Sequence, residues 1–266
     1  MTVPIALTIA GSDSSGGAGI QADLKTFAAL GVYGASVLTA LTAQNTRGVS
    51  GIHQVPAEFV TAQIDAVFDD LDVGAVKIGM VAQLATIDAI AAGLARWAPK
   101  HVVLDPVMVA TSGDRLLAAE AVDALRTKLI PRASIITPNL PETAALLDEP
   151  LASSEAAIES QGKRLLSMGC RAVLIKGGHG QGAMSTDYLI SSTGTVALAA
   201  PRIATENTHG TGCSLSSAIA AGLAKGEEME AAVRKAKLWI SAAIAAADRF
   251  SVGRGHGPVH HFHGFY

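Results

Sequence analysis

The sequence predicts an α/β protein, in which a mostly parallel central sheet is covered by helices on both faces. Five short apolar runs rich in β-branched residues are separated by Ala- and Leu-rich segments with helical spacing. The runs lie at residues 4–10, 73–78, 101–104, 134–136 and 171–175. They are almost wholly apolar, which is typical of parallel strands buried on both faces. Right-handed crossovers between such strands build a three-layer αβα sandwich.

Other segments complete the predicted architecture. Residues 182–201 are typical of two consecutive strands with a turn at 191–194, which predicts an antiparallel edge, and residues 32–43 are apolar without a clear period. Helical spacing continues from Thr211 to Arg249, with a break near Lys225 and Gly226. The tail from residue 253 is rich in Gly and His, and we expect it to be irregular. Because no linker composition occurs, residues 1–266 are predicted to form one domain.

Composition limits the partners of this chain. Its net charge is −3, and no cluster of Lys and Arg exists to neutralise a phosphate backbone, so nucleic acid is not an expected partner. The apolar runs are too short to cross a bilayer, and no basic residue precedes Lys25 to start a secretory signal. Cys170 and Cys213 form no C-x-x-C pattern and are expected to be reduced. These observations predict a soluble cytoplasmic protein with no membrane contact.

Polar and glycine residues follow each predicted strand of the sheet. Because ligands of open α/β sheets bind at the carboxyl ends of the strands, these residues form one candidate rim. The rim segments are residues 11–19, 79–80, 105–108, 139–142 and 176–178. Residues 11–19 and 178–182 are also candidates for a loop that closes over the site, since closure needs flexible hinges.

The segment from Asn207 to Ser214 predicts an anion site at the start of a long helix. Its glycines let backbone N–H groups converge, and a helix N-terminus adds unpaired donors and a positive dipole end. We expect this field to lower the pKa of Cys213. The alternative is a glycine-rich turn with a small buried cysteine, and spacing alone does not decide between the two.

Two common phosphate-binding loops fit the first glycine segment poorly. A Walker loop would need a lysine after Gly16, where this chain has Gly17 and Ala18. Residues 17–22 match a dinucleotide fingerprint loosely, but no acidic residue lies near position 42, which disfavours an NAD-dependent oxidoreductase. The loop can instead contribute to substrate binding, together with Asp23 on the following helix.

Two carboxylates and a lysine end neighbouring predicted strands. Asp105 and Glu142 are candidate oxygen ligands for Mg²⁺ shared with a nucleotide, whereas their alternative roles are in a turn and a helix cap. Asn139 and Glu142 also fit a capping box, and both roles can coexist. Lys176 could reach a phosphate, or it could be a solvated strand end. The histidines at 256, 260, 261 and 263 lack a regular partner pattern, which disfavours zinc.

Three long motifs, at residues 10–26, 136–142 and 207–213, resemble the hydroxymethylpyrimidine/phosphomethylpyrimidine kinases of thiamine biosynthesis. These kinases belong to the ribokinase-like superfamily, and the likeness extends from residue 4 to residue 262. The resemblance implies ATP- and Mg²⁺-dependent phosphorylation of 4-amino-5-hydroxymethyl-2-methylpyrimidine and then of its monophosphate. It also implies a homodimer, with residues 32–43 as a possible contact segment.

The same resemblance assigns roles to individual residues. Gln44 would recognise the pyrimidine, since its amide both donates and accepts hydrogen bonds. The substrate pocket would be completed by Gly11, Ala18, Asp23, Met80 and Val107. The anion hole would comprise Gly210, Thr211, Gly212 and Cys213, and nucleotide contacts would come from Asn139, Lys176, Thr211 and Gly212. Cys213 stands where sugar kinases have Asp, and it would be the base for the substrate hydroxyl.

Two alternatives remain at the level of the sequence. A pyridoxal kinase of the same superfamily shares the Asn-x-x-Glu motif and the anion hole, although Gln44 and residues 45–49 resemble the pyrimidine branch better. A nucleotide-binding regulator without turnover would be favoured by loss of Cys213 or of the two carboxylates, but all three residues are present.

Overall fold

The protein is described by a computed structural model that covers residues 3–108, 119–178 and 182–266. Residues 179–181 of the second candidate closing loop lie outside the described residues. The strands are β1 (Ile5–Ala10), β2 (Tyr33–Leu38), β3 (Ala40–Asn45), β4 (Gly48–Gln54), β5 (Ala75–Ile78), β6 (Val102–Leu104), β7 (Ile135–Ile136), β8 (Ala172–Ile175), β9 (Met184–Ser191) and β10 (Gly194–Pro201).

Eight of these strands form one sheet in the order β10-β9-β8-β7-β6-β5-β1-β2. The six strands β8, β7, β6, β5, β1 and β2 pair in parallel with one another. Strands β9 and β10 add the predicted antiparallel edge, with the turn between Ser191 and Gly194. The parallel order reverses between β5 and β1, because the chain passes from β1 outward to β2 and then returns to the other side. Such a switch point opens a crevice at the carboxyl ends of the strands.

The helices cover both faces of this sheet. They are α1 (Gly19–Ala29), α2 (Ala57–Asp70), α3 (Leu84–Trp97), α4 (Ala119–Ala124), α5 (Leu140–Leu147), α6 (Glu155–Leu166), α7 (Thr211–Ala224) and α8 (Met229–Ala245). Helices α2 to α6 pack in one apolar core, and α1, α7 and α8 pack in the other. The predicted three-layer αβα sandwich is confirmed.

The strands alternate between these two cores, which explains their unbroken apolar composition. In β6, Val102 and Leu104 face the core of α2 to α6, while Val103 faces the core of α1, α7 and α8. All three side chains are buried. Because the central strands β1, β5, β6, β7 and β8 bury both of their faces, the period-2 pattern of a half-exposed strand is absent from their sequences.

The segment at residues 32–43 contains a feature that its pattern did not indicate. It supplies β2 at the edge of the main sheet and then β3, which pairs with β4 in a separate antiparallel hairpin. A register shift between Ala43 and Gln44 marks a bulge in this hairpin. Much of β3 and β4 is exposed, so no core-facing periodicity is imposed on their sequences.

The tail from residue 253 has no helix or strand among its residues, as predicted, but part of it is buried. Val259, His260 and His261 are each at most 5% exposed. The break between α7 and α8 also lies where it was expected, after Lys225. None of the helices in the described ranges has both the length and the apolar character that crossing a membrane requires.

Candidate active site

A cavity of about 740 Å³ opens at the carboxyl ends of the parallel strands. It brings together every predicted site residue except Asp23. The cavity is lined by Gly11, Ala18, Gln44, Met80, Asp105, Val107, Asn139, Glu142, Lys176, Gly210, Thr211, Gly212 and Cys213, among others. Residues far apart in the sequence therefore share one site because the sheet collects its strand ends at one edge.

The first turn of α7 has the geometry of an anion-binding site. Gly210 precedes the helix with φ of 80°, and a Cβ there would lie 1.9 Å from the carbonyl oxygen of Gly17. Only glycine fits this conformation and this contact. Within the described residues, the N–H groups of Gly210, Gly212 and Cys213 have no acceptor, whereas the N–H of Thr211 donates to the carbonyl of Thr208. Three free donors at a helix N-terminus can hold a phosphoryl group.

Lys176 lies between the two predicted metal carboxylates. Its Nζ is 2.8 Å from Oδ1 of Asp105 and 3.8 Å from Oε2 of Glu142. Burial alone would lower the pKa of Lys176, but Asp105 and Glu142 raise it above its ordinary value. A Cβ on Gly212 would lie 3.4 Å from Nζ, so the ammonium and the start of α7 border the same space. The alternative role of Lys176 as a solvated strand end is wrong.

Asp105 and Glu142 are both buried, but their pKa values shift in opposite directions. For Asp105, burial favours a raised pKa, but Lys176 and Lys77 lower it below its ordinary value. For Glu142, burial and the charge of Asp105 outweigh Lys176 and raise the pKa. Hydrogen bonds from Thr137 at 3.0 Å and Ser216 at 3.2 Å fix the Asp105 carboxylate. Of the two carboxylates, Glu142 is therefore the one that binds a proton more readily.

Glu142 also takes part in the predicted capping box of α5. Its backbone N–H donates to Oδ1 of Asn139 at 2.8 Å, and its side chain accepts from the N–H of Asn139 at 2.7 Å. The capping role is confirmed, and Glu142 still borders the cavity. A capping box fixes the carboxylate in one orientation and so preorganises it for a second contact.

The pKa of Cys213 is raised, whereas the sequence predicted a lowered pKa. Burial raises it to about 11, and although Lys77 opposes this shift, Asp23 and Asp105 add to it. The N–H of Gly19 donates to the thiol sulfur. Desolvation and two carboxylates thus outweigh the helix N-terminus, because each disfavours a thiolate. At neutral pH the thiol is protonated.

Asp23 also departs from its predicted role in substrate contact. Its side chain is fully buried and accepts hydrogen bonds from Lys77 at 2.8 Å, Thr8 at 2.6 Å and Ser217 at 2.7 Å. Its carboxylate oxygens are thus used inside the protein, away from the cavity lining. Lys77, which the sequence analysis did not select, borders the cavity instead. A lysine inside the otherwise apolar strand β5 was the signal that could have found it.

The substrate end of the cavity joins the β3–β4 hairpin to the first glycine loop. Ser14 donates to the carbonyl of Gln44 at 2.8 Å and accepts from its N–H at 2.9 Å. Thr42 and Ser12 make a second pair of hydrogen bonds between these segments. Gln44 follows the bulge of the hairpin and lines the cavity. Its backbone is held by Ser14, and its side-chain Oε1 accepts from the hydroxyl of Thr42 at 3.3 Å.

Histidines of the tail contribute packing near the site. Nε2 of His261 lies 2.9 Å from Oγ of Ser214, and burial lowers the pKa of His261 to about 3. His260 packs edge-on against Phe250. Within the described ranges, no group of three or more His, Cys, Asp or Glu side chains is arranged to hold a metal ion.

Two further polar residues of the glycine loops, Asp13 and His209, were not among the predicted site residues. Oδ2 of Asp13 and Nε2 of His209 are 2.8 Å apart.

Comparison with known proteins agrees with this geometry. The sequence profile of the family described as phosphomethylpyrimidine kinase matches residues 13–260. The chain belongs to the phosphomethylpyrimidine kinase family. It is 60% identical over 259 residues to a hydroxymethylpyrimidine/phosphomethylpyrimidine kinase of Rhizobium meliloti, with 97% of each chain covered.

Solved structures related to this family have the same fold. A phosphomethylpyrimidine kinase of Clostridium difficile is 44% identical with a TM-score of 0.81, covering 91% of this chain and 100% of that one. An ADP complex of Bacillus subtilis pyridoxal kinase is 36% identical with a TM-score of 0.90, covering 98% of each chain. The predicted ribokinase-like fold and kinase family are confirmed, and the oxidoreductase alternative is wrong.

The raised pKa of Cys213 predicts slow alkylation at neutral pH. Because iodoacetamide reacts with the thiolate, the rate should rise about tenfold per pH unit from pH 8 to 10. Peptide mass spectrometry separates Cys213 from Cys170, whose pKa is also about 11 but which lies in the core. Cys170 should react more slowly than Cys213 at every pH. A Cys213 rate that reaches a plateau near pH 7 would contradict the raised pKa.

Proposed function

We propose that this chain transfers the γ-phosphoryl group of ATP to 4-amino-5-hydroxymethyl-2-methylpyrimidine and then to the resulting monophosphate, forming the pyrophosphate used in thiamine biosynthesis. The observation that carries the proposal is the shared cavity. One cavity is lined by Gln44, which carries a side-chain amide, and by Gly212 and Cys213, whose backbone N–H groups have no acceptor among the described residues. The family and its relatives at 60% and 54% identity support this substrate pair.

The substrate end suits a small aminopyrimidine. The amide of Gln44 can accept from the exocyclic amino group and donate to a ring nitrogen. Met80 and Val107 supply apolar surface for the ring, and Gly11 leaves room beside it, since a Cβ there would lie 2.6 Å from Cε of Met80. Ala18 adds backbone at the same end. These contacts take the place of the predicted contact between Asp23 and the substrate.

The nucleotide end is built from the start of α7 and from side chains of neighbouring elements. Asn139, Lys176, Thr211 and Gly212 border the part of the cavity where the phosphates would lie. The loop after β10 and helix α8 contribute the apolar side chains of Ile203, Ile240 and Ile244, which suit a purine. The family makes ATP the expected donor, and the related Bacillus subtilis pyridoxal kinase binds ADP.

Mg²⁺ fits the donor chemistry of this end. Asp105 and Glu142 offer only oxygen atoms, as a hard cation requires, and Mg²⁺ is commonly held by one or two carboxylates together with substrate phosphates. Asp105 and Glu142 would hold the ion, which would neutralise charge on the phosphates. The protein's own groups stabilise the transferred phosphoryl through Lys176 and the N–H groups of Gly212 and Cys213.

Cys213 is the proposed acceptor of the substrate's hydroxyl proton in the first transfer. Its thiol must first lose its own proton to solvent, because its pKa is about 11. Lys77 favours this loss, since its buried ammonium lowers the thiol pKa. The second transfer needs no such base, because a phosphate monoester is already ionised at neutral pH. The two half-reactions therefore make different demands on one side chain.

We also propose that the chain acts as a cytoplasmic homodimer. Tyr33, Leu41 and Ile52 on β2, β3 and β4 are 56%, 46% and 44% exposed, so an apolar surface borders the segment predicted to form the contact. Both cysteines are free thiols, which suits a reducing compartment.

The proposed activity predicts the outcome of parallel assays with hydroxymethylpyrimidine, its monophosphate and pyridoxal. With ATP and Mg²⁺, both pyrimidines should be phosphorylated, with the products identified by mass spectrometry. A Lys176→Ala variant should lose about 10²-fold or more in kcat on both, since it removes a charge that stabilises the transferred group. Turnover of pyridoxal alone would instead assign the chain to the vitamin B6 kinases.

A Cys213→Ala variant separates the two half-reactions. Removing a general base costs about 10² to 10⁴-fold, so the kcat of the first transfer should fall by about 10²-fold or more. The second transfer should fall much less, because alanine keeps the backbone N–H of the anion hole. Cys170→Ala is the matched control and should leave both rates near wild type. Equal losses in both transfers would reject the role of Cys213 as a base.

A further inference from the structure

We infer that the hydrogen bond between Asp13 and His209 is a clasp that positions the first glycine loop against the anion hole for phosphoryl transfer. This inference rests on the proposed function. Both side chains lie outside the contacts assigned above to the pyrimidine, the nucleotide and the metal ion. Asp13 is 1% exposed and His209 is 5% exposed, so the Asp13–His209 clasp is buried.

Asp13 organises the first glycine loop. Its Oδ1 accepts from the N–H and hydroxyl of Ser15 at 2.8 and 2.7 Å. Its Oδ2 accepts from the N–H groups of Gly17 and Ala18 at 3.1 and 2.8 Å, and from Nε2 of His209 at 2.8 Å. One carboxylate thus receives four donors from its own loop and one from a residue 196 positions away.

The charge state of Asp13 fixes the direction of this bond. Burial alone would raise the pKa of Asp13, but hydrogen bonds from His209 and Ser15 hold it well below its ordinary value. An ionised carboxylate only accepts hydrogen bonds, so Nε2 of His209 carries a proton and donates it. A hydrogen bond to a charged, buried acceptor is stronger than a neutral one.

His209 brings the anion hole to the same place. It directly precedes Gly210, the residue whose missing Cβ allows contact with the carbonyl of Gly17. The backbone of His209 is itself held by the tail, since its N–H donates to Gly257 and its carbonyl accepts from Val259. The imidazole is therefore anchored on the tail side and reaches across to Asp13 on the loop side.

The clasp joins two loops that serve different reactants. The first glycine loop borders the proposed substrate end, and the loop before α7 leads into the proposed phosphoryl site. All four residues Ala18, Gly19, Gly212 and Cys213 line the cavity, the first two at the proposed substrate end and the last two at the proposed phosphoryl site. The N–H of Gly19 contacts the Cys213 sulfur, so the loops meet at the proposed base. A shift of about 1 Å between reacting atoms can cost about 10²-fold in rate. The Asp13–His209 clasp sets this separation from a buried position at the cavity wall, to which His209 contributes.

Substitution of His209 tests the inference. His209→Ala should lower kcat for both pyrimidines by roughly tenfold to a hundredfold, with KM for ATP changed less than about threefold, because only the reacting geometry is lost. His209→Gln places an amide donor near the position of Nε2 and should recover most of the rate. Equal kcat values for the Ala and Gln variants would overturn the inference, as would a loss confined to KM.

Gly17→Ala tests the same clasp without removing the imidazole. A Cβ on Gly17 would lie 2.4 Å from Cδ2 of His209, so the methyl group should displace the ring and lower kcat as His209→Ala does. In the Gly17→Ala/His209→Ala double variant the ring is absent, so the second substitution should cost little more. Gly264→Ala is the control, because no described residue other than the chain neighbours of Gly264 comes within 4 Å of the added Cβ. Additive losses in the double variant would contradict the clasp.

Hydrogen exchange separates failure of the clasp from failure of the proposed function. In the ligand-free protein, His209→Ala should speed amide exchange in residues 13–18 by about tenfold or more, and His209→Gln should restore protection. Inactive wild-type protein with this exchange pattern would reject the function and keep the clasp. Active wild-type protein with unchanged exchange in His209→Ala would reject the clasp alone.

Discussion

The candidate site is organised around the N-terminus of α7. The N–H groups of Gly212 and Cys213 in its first turn, and that of Gly210 before it, have no acceptor among the described residues, and Gly210 reaches this geometry only because it lacks a Cβ. Such donors are costly to bury unless a ligand completes them. The helix is held in place by Ser216, which donates to Asp105 at a strand end, and by Ser217, which donates to Asp23 inside the protein. An anion that binds here therefore meets a prearranged set of donors.

Buried charges surround this helix terminus in a fixed pattern. Lys77 is fully buried and paired with Asp23, and Lys176 is paired with Asp105. A lone buried ammonium would lose its proton, whereas the paired carboxylates keep both lysines charged. Burial and the carboxylates of Asp23 and Asp105 raise the pKa of Cys213, so the charge pattern that we propose to stabilise phosphate also keeps the thiol neutral. The proposed charge stabilisation and the proposed proton transfer thus make opposing demands on one cavity.

The sequence predicted the parts of the structure that local patterns determine. Apolar strands, the antiparallel edge and the glycine motifs all have short-range signatures, and the rim of strand ends followed from topology. The predicted role of Asp23 was wrong because its carboxylate pairs with Lys77, which is distant in the sequence. The predicted pKa of Cys213 was wrong because burial and the carboxylates of Asp23 and Asp105 act on the thiol only in the folded core. The link between Asp13 and His209 likewise spans 196 positions, so no spacing rule could reveal it.

A crystal structure with hydroxymethylpyrimidine, Mg²⁺ and a non-hydrolysable ATP analogue would show which part of the protein binds the transferred phosphate. We expect oxygens of the terminal phosphate to accept hydrogen bonds from the N–H groups of Gly212 and Cys213 at roughly 3 Å. The pyrimidine hydroxyl should lie about 3 to 3.5 Å from the terminal phosphorus and beside the Cys213 sulfur. A terminal phosphate bound at the first glycine loop, with the start of α7 contacting only solvent, would contradict the account.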